Sequence, residues 1–265
     1  AFRRQGGNFL AYVIALTNQK GGVGKTTTSC ALISGLTAKK KKVLGIDLDP
    51  QGNLGFSLGI EIEECATIYD AFKGQADLND IIHKTPYGDV VPSNILLSGA
   101  ELEFNRPGRE FLLKDLLKTV GGKYDYVVID TPPALNILTV NAYVASDALI
   151  IPMVPEILSL LGISQIKETI DSVKKFYNPG LNILGILLTK YNGRLNLAKE
   201  VHEMSESIAA QLGTKVFDTK IRSSVSIAEA PAHGESIFEY SPKSNPAIDY
   251  TLFVDETLKI IRKSR

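Results

Sequence analysis

The sequence has few of the residues that build disulfide frameworks and zinc sites. Its 265 residues include two cysteines, Cys30 and Cys65, and three histidines, with no CxxC pair. This excludes a disulfide-stabilised scaffold and a zinc-binding module, because both need several cysteines or histidines at short spacing. The scarcity of cysteine also favours a reducing compartment, and we predict a cytoplasmic protein.

Excess charge of one sign and long apolar runs are absent as well. Twenty-nine basic and 29 acidic residues give a formal net charge of zero, so binding to nucleic acid would need a local basic patch. No apolar stretch reaches the roughly 18 residues typical of a membrane span. With 44% hydrophobic and 22% charged residues, the composition is that of a globular protein with a substantial core.

Short apolar runs alternate with helical periodicity along the chain. The runs end in glycine, proline or aspartate, as strands of an α/β protein do. This alternation predicts an α/β fold with a doubly wound, mostly parallel β-sheet flanked by helices. We predict a flexible leader at residues 1–11 and a single P-loop ATPase domain at 12–265. The predicted strands are 12–16, 43–46, 90–91, 126–129, 148–152 and 183–189, and the predicted helices are 26–38, 68–73, 157–177, 196–212 and 249–265.

A glycine-rich segment follows the first predicted strand. Gly24, Lys25 and Thr26 stand where the phosphate-binding pattern Gly-x-x-x-x-Gly-Lys-Thr requires them, although Gln19 occupies the position of the first glycine. Backbone amides of such a loop surround phosphate oxygens, the lysine bridges the outer phosphates, and the hydroxyl of Thr26 ligates Mg²⁺. We therefore predict ATP and Mg²⁺ as cofactors. The predicted ATP-binding residues are Lys20, Gly21, Gly22, Val23, Gly24, Lys25, Thr26 and Thr27.

Aspartates end two further predicted strands. Asp130 follows the run 126–129, and we predict that it helps to hold the metal, through water. Asp47 and Asp49 follow the run 43–46. One of these carboxylates could orient the attacking water, while the other holds magnesium or a loop, or caps the turn at Pro50. We favour Asp49 as the residue that positions water, and we predict Lys20, Lys25 and Asp49 as the catalytic residues.

Four segments, residues 18–28, 47–53, 124–133 and 228–234, carry a family resemblance in the right order. Through them the chain resembles the ParA/Soj/MinD group of deviant-Walker ATPases, and most closely the ParA/Soj branch that partitions plasmids and chromosomes. The resemblance extends from Tyr12 to the end of the sequence. It implies that Lys20 is the signature lysine, which reaches the phosphates held by the other subunit of an ATP-bound sandwich dimer.

The resemblance also implies a cycle of partners. Hydrolysis is expected to be slow until it is stimulated, the ATP-bound homodimer to bind DNA non-specifically, and a ParB-like centromere-binding protein to release it. The protein is then expected on the nucleoid, with no stable membrane association. Since the segment before Tyr12 is too short for a winged-helix domain, operator recognition is not expected.

The expected DNA contacts differ from the family pattern. Members commonly read Ile-Pro-Arg-Asn-Val-Arg before the Glu-Ala-Pro segment, whereas here Ile221 is followed by Arg222 and two serines. Two expected cations are thus replaced by serine, and the proline beside the adenine pocket is lost. The candidates for phosphate contacts are Arg194, Lys199 and Arg222, with Lys220, Lys259, Arg262, Lys263 and Arg265 as further basic residues.

Several other functions are alternatives to ATP-dependent DNA partitioning. A GTPase needs Asn/Thr-Lys-x-Asp, but residues 189–192 end in asparagine, so ATP is favoured. A MinD-like membrane cycler would need a basic amphipathic helix after the fold, whereas Leu252, Phe253, Leu258 and Ile261 suit core packing. Iron–sulfur relatives need paired cysteines, which are missing. A non-catalytic nucleotide switch stays open, and so does positioning of a cargo other than DNA.

Overall fold

The computed structural model describes residues 4–5, 8–9, 11–63, 65–120, 122–155, 163–191 and 198–263, with side chains described from residue 11 onward except at 198–202. All the predicted strands are confirmed to within two residues at each end. The strands are β1 (Arg4–Gln5), β2 (Asn8–Phe9), β3 (Tyr12–Leu16), β4 (Val43–Asp47), β5 (His83–Thr85), β6 (Gly88–Val91), β7 (Tyr126–Asp130), β8 (Ala148–Met153) and β9 (Asn182–Leu188).

Helices follow most of the strands. Of the predicted helix ranges, 157–162 and 196–197 lie outside the described residues, and the last helix begins four residues earlier than predicted. The α-helices are α1 (Lys25–Ala38), α2 (Asn53–Ser57), α3 (Ile68–Lys73), α4 (Ala100–Glu103), α5 (Leu112–Thr119), α6 (Ile137–Ala145), α7 (Ile163–Phe176), α8 (Ala198–Gln211), α9 (Ser226–Glu229), α10 (Ile237–Tyr240) and α11 (Asn245–Lys263).

One seven-stranded sheet organises the fold, in the order β5-β6-β4-β7-β3-β8-β9. All neighbours are parallel except β5 and β6, so the predicted mostly parallel sheet is confirmed. In the register of the central strands, Asp130 of β7 lies between Asp47 of β4 and Leu16 of β3. The carboxyl ends of three neighbouring strands therefore meet beside the loop that leaves β3.

The sheet is buried on both faces, because successive strand residues point to opposite sides. Val13 and Ala15 belong to one apolar core, while Ile14 and Leu16 belong to the other, which α1 and α11 cover. These two helices approach closely at Gly35, where an added Cβ would lie 2.7 Å from Cγ2 of Val254. The position therefore accepts no larger residue without displacing α11.

The last helix, α11, packs into the core, as predicted. Phe253, Leu258 and Ile261 are buried, whereas Leu252 is exposed and was wrongly grouped with them. Within the described ranges, no helix combines the length and the hydropathy of a membrane span.

Both edges of the sheet are short or covered. The edge strand β5 has three residues and runs antiparallel to β6. At the other edge, the chain at 215–221 binds the outer side of β9. Ile186 N–H donates to the carbonyl of Lys215 at 2.9 Å, Phe217 N–H to that of Ile186 at 2.9 Å, and Ile221 N–H to that of Leu188 at 2.8 Å.

Candidate active site

The loop between β3 and α1 has a backbone that only glycine adopts readily. Gly22 and Gly24 have φ values of 70° and 86°, in the left-handed region where a Cβ is disfavoured. An added Cβ at Gly21 or Gly22 would meet no atom within 4 Å. The first turn of α1 contains no acidic side chain, so its exposed N–H groups and positive dipole end suit an anion.

Lys25 lies over this loop. Its side chain is buried, with 7% of its surface exposed, and its Nζ donates to the carbonyl of Lys20 at 3.4 Å. Burial lowers the pKa of Lys25, while the negative charges of Asp130 and Asp49 oppose that shift. A buried ammonium group that faces two carboxylates is poised to exchange its weak carbonyl contact for phosphate oxygens. The side chain of Lys20, by contrast, is exposed.

Asp130 is held by two hydroxyl groups of α1. Thr26 Oγ1 donates to Asp130 Oδ2 at 2.6 Å, and Ser29 Oγ donates to Oδ1 at 2.9 Å. Thr26 and Ser29 are three residues apart and so share one face of the helix. Complete burial raises the pKa of Asp130 to about 6, although the two hydroxyl groups and Lys25 act against this rise. The two residues predicted to hold the metal, Thr26 and Asp130, are thus in direct contact, and Ser29 is a partner of Asp130 that was not predicted.

Asp47 holds the loop that follows β4. Its Oδ1 accepts from Asp49 N–H and its Oδ2 from Leu54 N–H, each at 2.9 Å. Burial, followed by the nearby charge of Asp130, raises the pKa of Asp47 well above its usual range, and the two backbone donors oppose this. Of the alternatives for Asp47, the geometry favours the structural one, because both carboxylate oxygens bind backbone donors.

Asp49 lies in the turn that Asp47 holds. Its Oδ1 accepts from Gln51 N–H at 3.1 Å, and its carbonyl accepts a short hydrogen bond from Ser93 Oγ. The negative charges of Asp49 and Asp130 both raise the pKa of Lys25, against the effect of its burial. Asp49 can therefore cap its turn through one oxygen and also act beside the phosphate loop.

Two long-range contacts fix the phosphate loop to neighbouring strands. Thr189 Oγ1, just after β9, donates to the carbonyl of Val23 at 2.8 Å. Asn18 Nδ2 donates to the carbonyl of Pro152 in β8 at 2.8 Å, and Asn18 Oδ1 accepts from Lys20 N–H at 3.0 Å. Protein groups thus hold the loop in its shape, which reduces the ordering that ligand binding would require.

Of the three candidate DNA contacts, the structure describes the side chain of Arg222. Arg194 lies outside the described residues, as does the side chain of Lys199. Arg222 binds the buried Asp249 of α11 through its backbone N–H at 3.0 Å, Nε at 2.9 Å and Nη2 at 2.6 Å. Its side chain is 45% exposed, but part of its charge is already paired. The geometry gives Arg222 a role in holding the loop after residue 221, and its DNA contact stays a prediction.

Lys25 and Thr26 lie where a bound triphosphate needs a cation and a metal ligand, at the carboxyl edge of a doubly wound sheet. Fold and site together define a nucleotide-binding P-loop protein. A family model described as an AAA domain matches residues 11–183. The chain is 44% identical over 244 residues to the sporulation initiation inhibitor protein Soj of Bacillus subtilis, covering 90% of this chain and 94% of that protein.

A second relative is the chromosome partitioning protein ParA of Myxococcus xanthus, 39% identical over 251 residues, with 93% of this chain and 88% of that protein covered. Among solved structures, cobyrinic acid a,c-diamide synthase from Mycobacterium smegmatis with bound ADP and magnesium has a TM-score of 0.84 and 34% identity, covering 97% of each chain. The chain belongs to the ParA/Soj family of chromosome-partitioning proteins, and the resemblance seen in its sequence is confirmed.

Proposed function

We propose that this chain is an ATP-dependent DNA-partitioning ATPase. In this cycle an ATP-bound sandwich dimer binds DNA non-specifically, and a ParB-like partner resets it by stimulating weak hydrolysis. The observation that carries the proposal is a glycine-rich loop beside which Lys25 is buried and Asp130 accepts hydrogen bonds from Thr26 and Ser29. The name of the Myxococcus relative, chromosome partitioning protein ParA, supports the partitioning role. The cycle places the protein on the nucleoid in the cytoplasm.

The residues present fit a magnesium–nucleotide complex. Thr26 and Asp130 offer one hydroxyl and one carboxylate, and no group of three or more acidic, histidine or cysteine side chains in the described part could hold a metal alone. Magnesium commonly takes few protein ligands and completes its shell with phosphate and water. The similar Mycobacterium smegmatis protein was solved with ADP or an ATP analogue together with magnesium, which supports ATP and Mg²⁺ here.

Each group has a separate role in hydrolysis. The amides of residues 21–25 and the N-terminus of α1 surround the phosphates, and Lys25 neutralises charge on the outer ones. Thr26 would ligate Mg²⁺, and Asp130 would hold the water bound to the ion. Magnesium, when bound, neutralises negative charge that develops on the phosphates. Asp49 accepts a hydrogen bond from the attacking water and aims it at the outermost phosphorus.

Lys20 is the residue that we assign to a second subunit. Its side chain is exposed, whereas Lys25 is buried within its own subunit, and this difference in exposure supports the assignment. A second cation supplied across a dimer would stabilise the transition state as an arginine finger does. If Lys20 acts across the dimer in this way, turnover requires two subunits.

Lys20→Ala is expected to bind MgATP like the wild type, to lose ATP-dependent dimerisation, and to lose turnover by about 10³-fold, the effect of a missing finger residue. Light scattering after size-exclusion chromatography measures the dimer, and phosphate release measures turnover. Lys84→Ala, which removes an exposed lysine from β5, is the control. A Lys20→Ala protein that dimerises and turns over normally would show that Lys20 serves only its own loop.

DNA binding is expected only with ATP, and it should weaken steeply as salt rises because lysine and arginine displace counterions from the phosphate backbone. Binding of a random duplex is measured with ATP, ADP and no nucleotide over a salt series. Substitution of Arg194 or Lys199 by glutamine should reduce the salt slope by about one each, and Arg222→Gln by less, because Asp249 pairs with it. Equal affinity in all three nucleotide states would contradict the partition switch while leaving the ATPase assignment untouched.

The MinD-like alternative predicts a different target. Sedimentation with liposomes in the presence of ATP should leave the protein in the supernatant, whereas a membrane cycler would pellet with them. The buried apolar face of α11 supports the former result, because Phe253, Leu258 and Ile261 are already used in the core.

A further inference from the structure

A large groove opens beside the turn that carries Asp49. Its volume is about 1280 Å³, and it is lined by residues 50–53, 59–63, 93–96 and 231–234 together with Phe56 and Cys65. Segments from four parts of the chain thus form one surface next to the catalytic turn. None of the nucleotide-binding roles assigned above uses this groove.

The groove presents large apolar side chains to solvent. Phe56 is 56% exposed, Ile95 is 61% exposed and Leu96 is 52% exposed. Three such side chains along one groove form a concentrated apolar surface, which in a globular protein indicates an interaction site. Burial of these side chains against a partner would contribute a favourable hydrophobic free energy to binding.

The charge of the groove indicates which kind of partner segment would bind there. Glu61 and Glu63 are exposed on its rim, and its described lining contains no lysine or arginine. An apolar floor beside acidic groups complements an amphipathic segment that carries leucine-like side chains on one face and lysine or arginine next to them. An acidic segment would be repelled.

The floor of the groove is built into the turn of Asp49. Gln51 N–H binds the Asp49 carboxylate and Ser93 Oγ binds its carbonyl. At Gly52 the packing is tight, since an added Cβ would lie 3.0 Å from both Ile62 Cδ1 and the Ser93 carbonyl oxygen. Such close packing transmits displacement. A segment seated on Phe56 and Leu96 would therefore act on the backbone that positions Asp49.

We propose that this groove, formed by residues 50–53, 59–63, 93–96 and 231–234, docks a basic amphipathic segment of a partner protein, and that docking changes the rate at which Asp49 supports hydrolysis. The groove would be the place where the partner that stimulates hydrolysis binds. The effect of docking on the hydrolysis rate rests on the proposed function.

The chain carries its own reporter for docking. Cys65 lines the groove, whereas Cys30 does not; both are partly exposed and burial raises the pKa of both thiols, so Cys30 serves as the internal reference. The probe is a synthetic amphipathic peptide of leucine and lysine, and its counterpart of leucine and glutamate is the control. Alkylation of Cys65 by iodoacetamide, followed by mass spectrometry, should slow at least tenfold when the lysine peptide saturates the protein. It should not change with the glutamate peptide.

Substitutions of exposed residues in the groove test whether these residues bind the peptide. Phe56→Ser with Leu96→Ser should weaken the lysine peptide at least tenfold, because apolar anchors dominate such contacts. Glu61→Gln with Glu63→Gln should weaken it several-fold and reduce its salt dependence. The matched control is Leu102→Ser, which removes an 85% exposed leucine outside the groove. Equal affinity for the wild type and the Phe56→Ser, Leu96→Ser variant would overturn the docking surface.

Further results would distinguish partner docking from a contact between subunits and from failure of the ATPase function. If the Phe56→Ser, Leu96→Ser variant binds the peptide normally but no longer dimerises with ATP, the groove is a contact between subunits and the partner proposal is wrong. The lysine peptide should also change the phosphate-release rate of the wild type, and an unchanged rate would overturn the coupling to Asp49. A wild type that protects Cys65 but releases no phosphate would contradict the ATPase function and leave docking supported.

Discussion

Lys25→Ala is expected to abolish productive nucleotide binding and to reduce kcat/KM for MgATP by roughly 100- to 1,000-fold, the usual cost of removing one preorganised charge from a transition state. The ammonium group is buried beside the phosphate loop and faces two aspartates. Its removal leaves Asp49 and Asp130 without a cation, so these carboxylates would repel the incoming phosphates. Titration with a fluorescent ATP analogue measures binding, and phosphate release measures turnover.

Two comparisons make the Lys25 result specific. Lys84→Ala removes the same charge from the exposed edge strand β5 and should behave as the wild type. Lys25→Arg should also be impaired, because a planar guanidinium does not fit a pocket shaped for one ammonium group. Turnover close to the wild-type level in Lys25→Ala would show that the phosphates do not bind at this loop.

Asp49→Ala is expected to separate binding from hydrolysis. MgATP should bind nearly as in the wild type, because Lys25 and the loop amides are intact, whereas kcat should fall by roughly 10²- to 10⁴-fold, as when a general base is lost. Phosphate release at saturating MgATP gives kcat, and the fluorescent analogue confirms binding. This comparison also distinguishes an enzyme from a non-catalytic switch, since a switch would show the same low rate in both proteins.

Asp49 also caps its own turn, so a matched variant is needed. Asp49→Asn keeps an acceptor for Gln51 N–H but removes the negative charge. If the Asp49→Asn variant turns over at the wild-type rate, Asp49 serves the turn and not the water. Asp47→Ala provides the structural contrast, because it leaves two buried N–H groups without an acceptor. Each such orphan costs about 1–3 kcal/mol, and a lower free energy of unfolding should result.

Features that depend on neighbouring residues could be predicted from the sequence. The strand 12–16 and the helix 68–73 have their predicted bounds, and Asp47 and Asp130 end their strands in the predicted manner. Strand periodicity, glycine spacing and strand-end carboxylates are local signals, and they were sufficient to predict the fold class and the position of the glycine-rich loop.

The contacts that shape the site could not be predicted in the same way, because their partners are distant in the chain. Ser29 reaches Asp130 across 101 positions, Thr189 reaches Val23 across 166, and Ser93 reaches the Asp49 backbone across 44. Only the three-residue spacing between Thr26 and Ser29 offered a hint. The assignment of Asp47 to loop support likewise needed the position of Leu54 N–H.

In the region from Gly52 to Pro107, short strands were only partly predicted from the sequence. The strand β6 was predicted there, but β5 was not, because its three residues are polar and none is fully buried. Outside this region, the helix α6 (Ile137–Ala145) was also missed, although Asn136 precedes it and accepts from Leu138 N–H at 3.0 Å. An asparagine before an apolar run is a helix-start signal, so that element was within reach of sequence reasoning.

The covered edges of the sheet restrict how copies of this protein can assemble. Open strand edges are the usual route to uncontrolled polymerisation, since they offer a row of unpaired backbone groups to any second chain. Here the three-residue strand β5 ends one side, and the backbone at 215–221 fills the other. In the described part of the chain, contacts between copies are therefore favoured at loops and helical faces, and the main sheet gives little support to an open-ended polymer built by strand pairing.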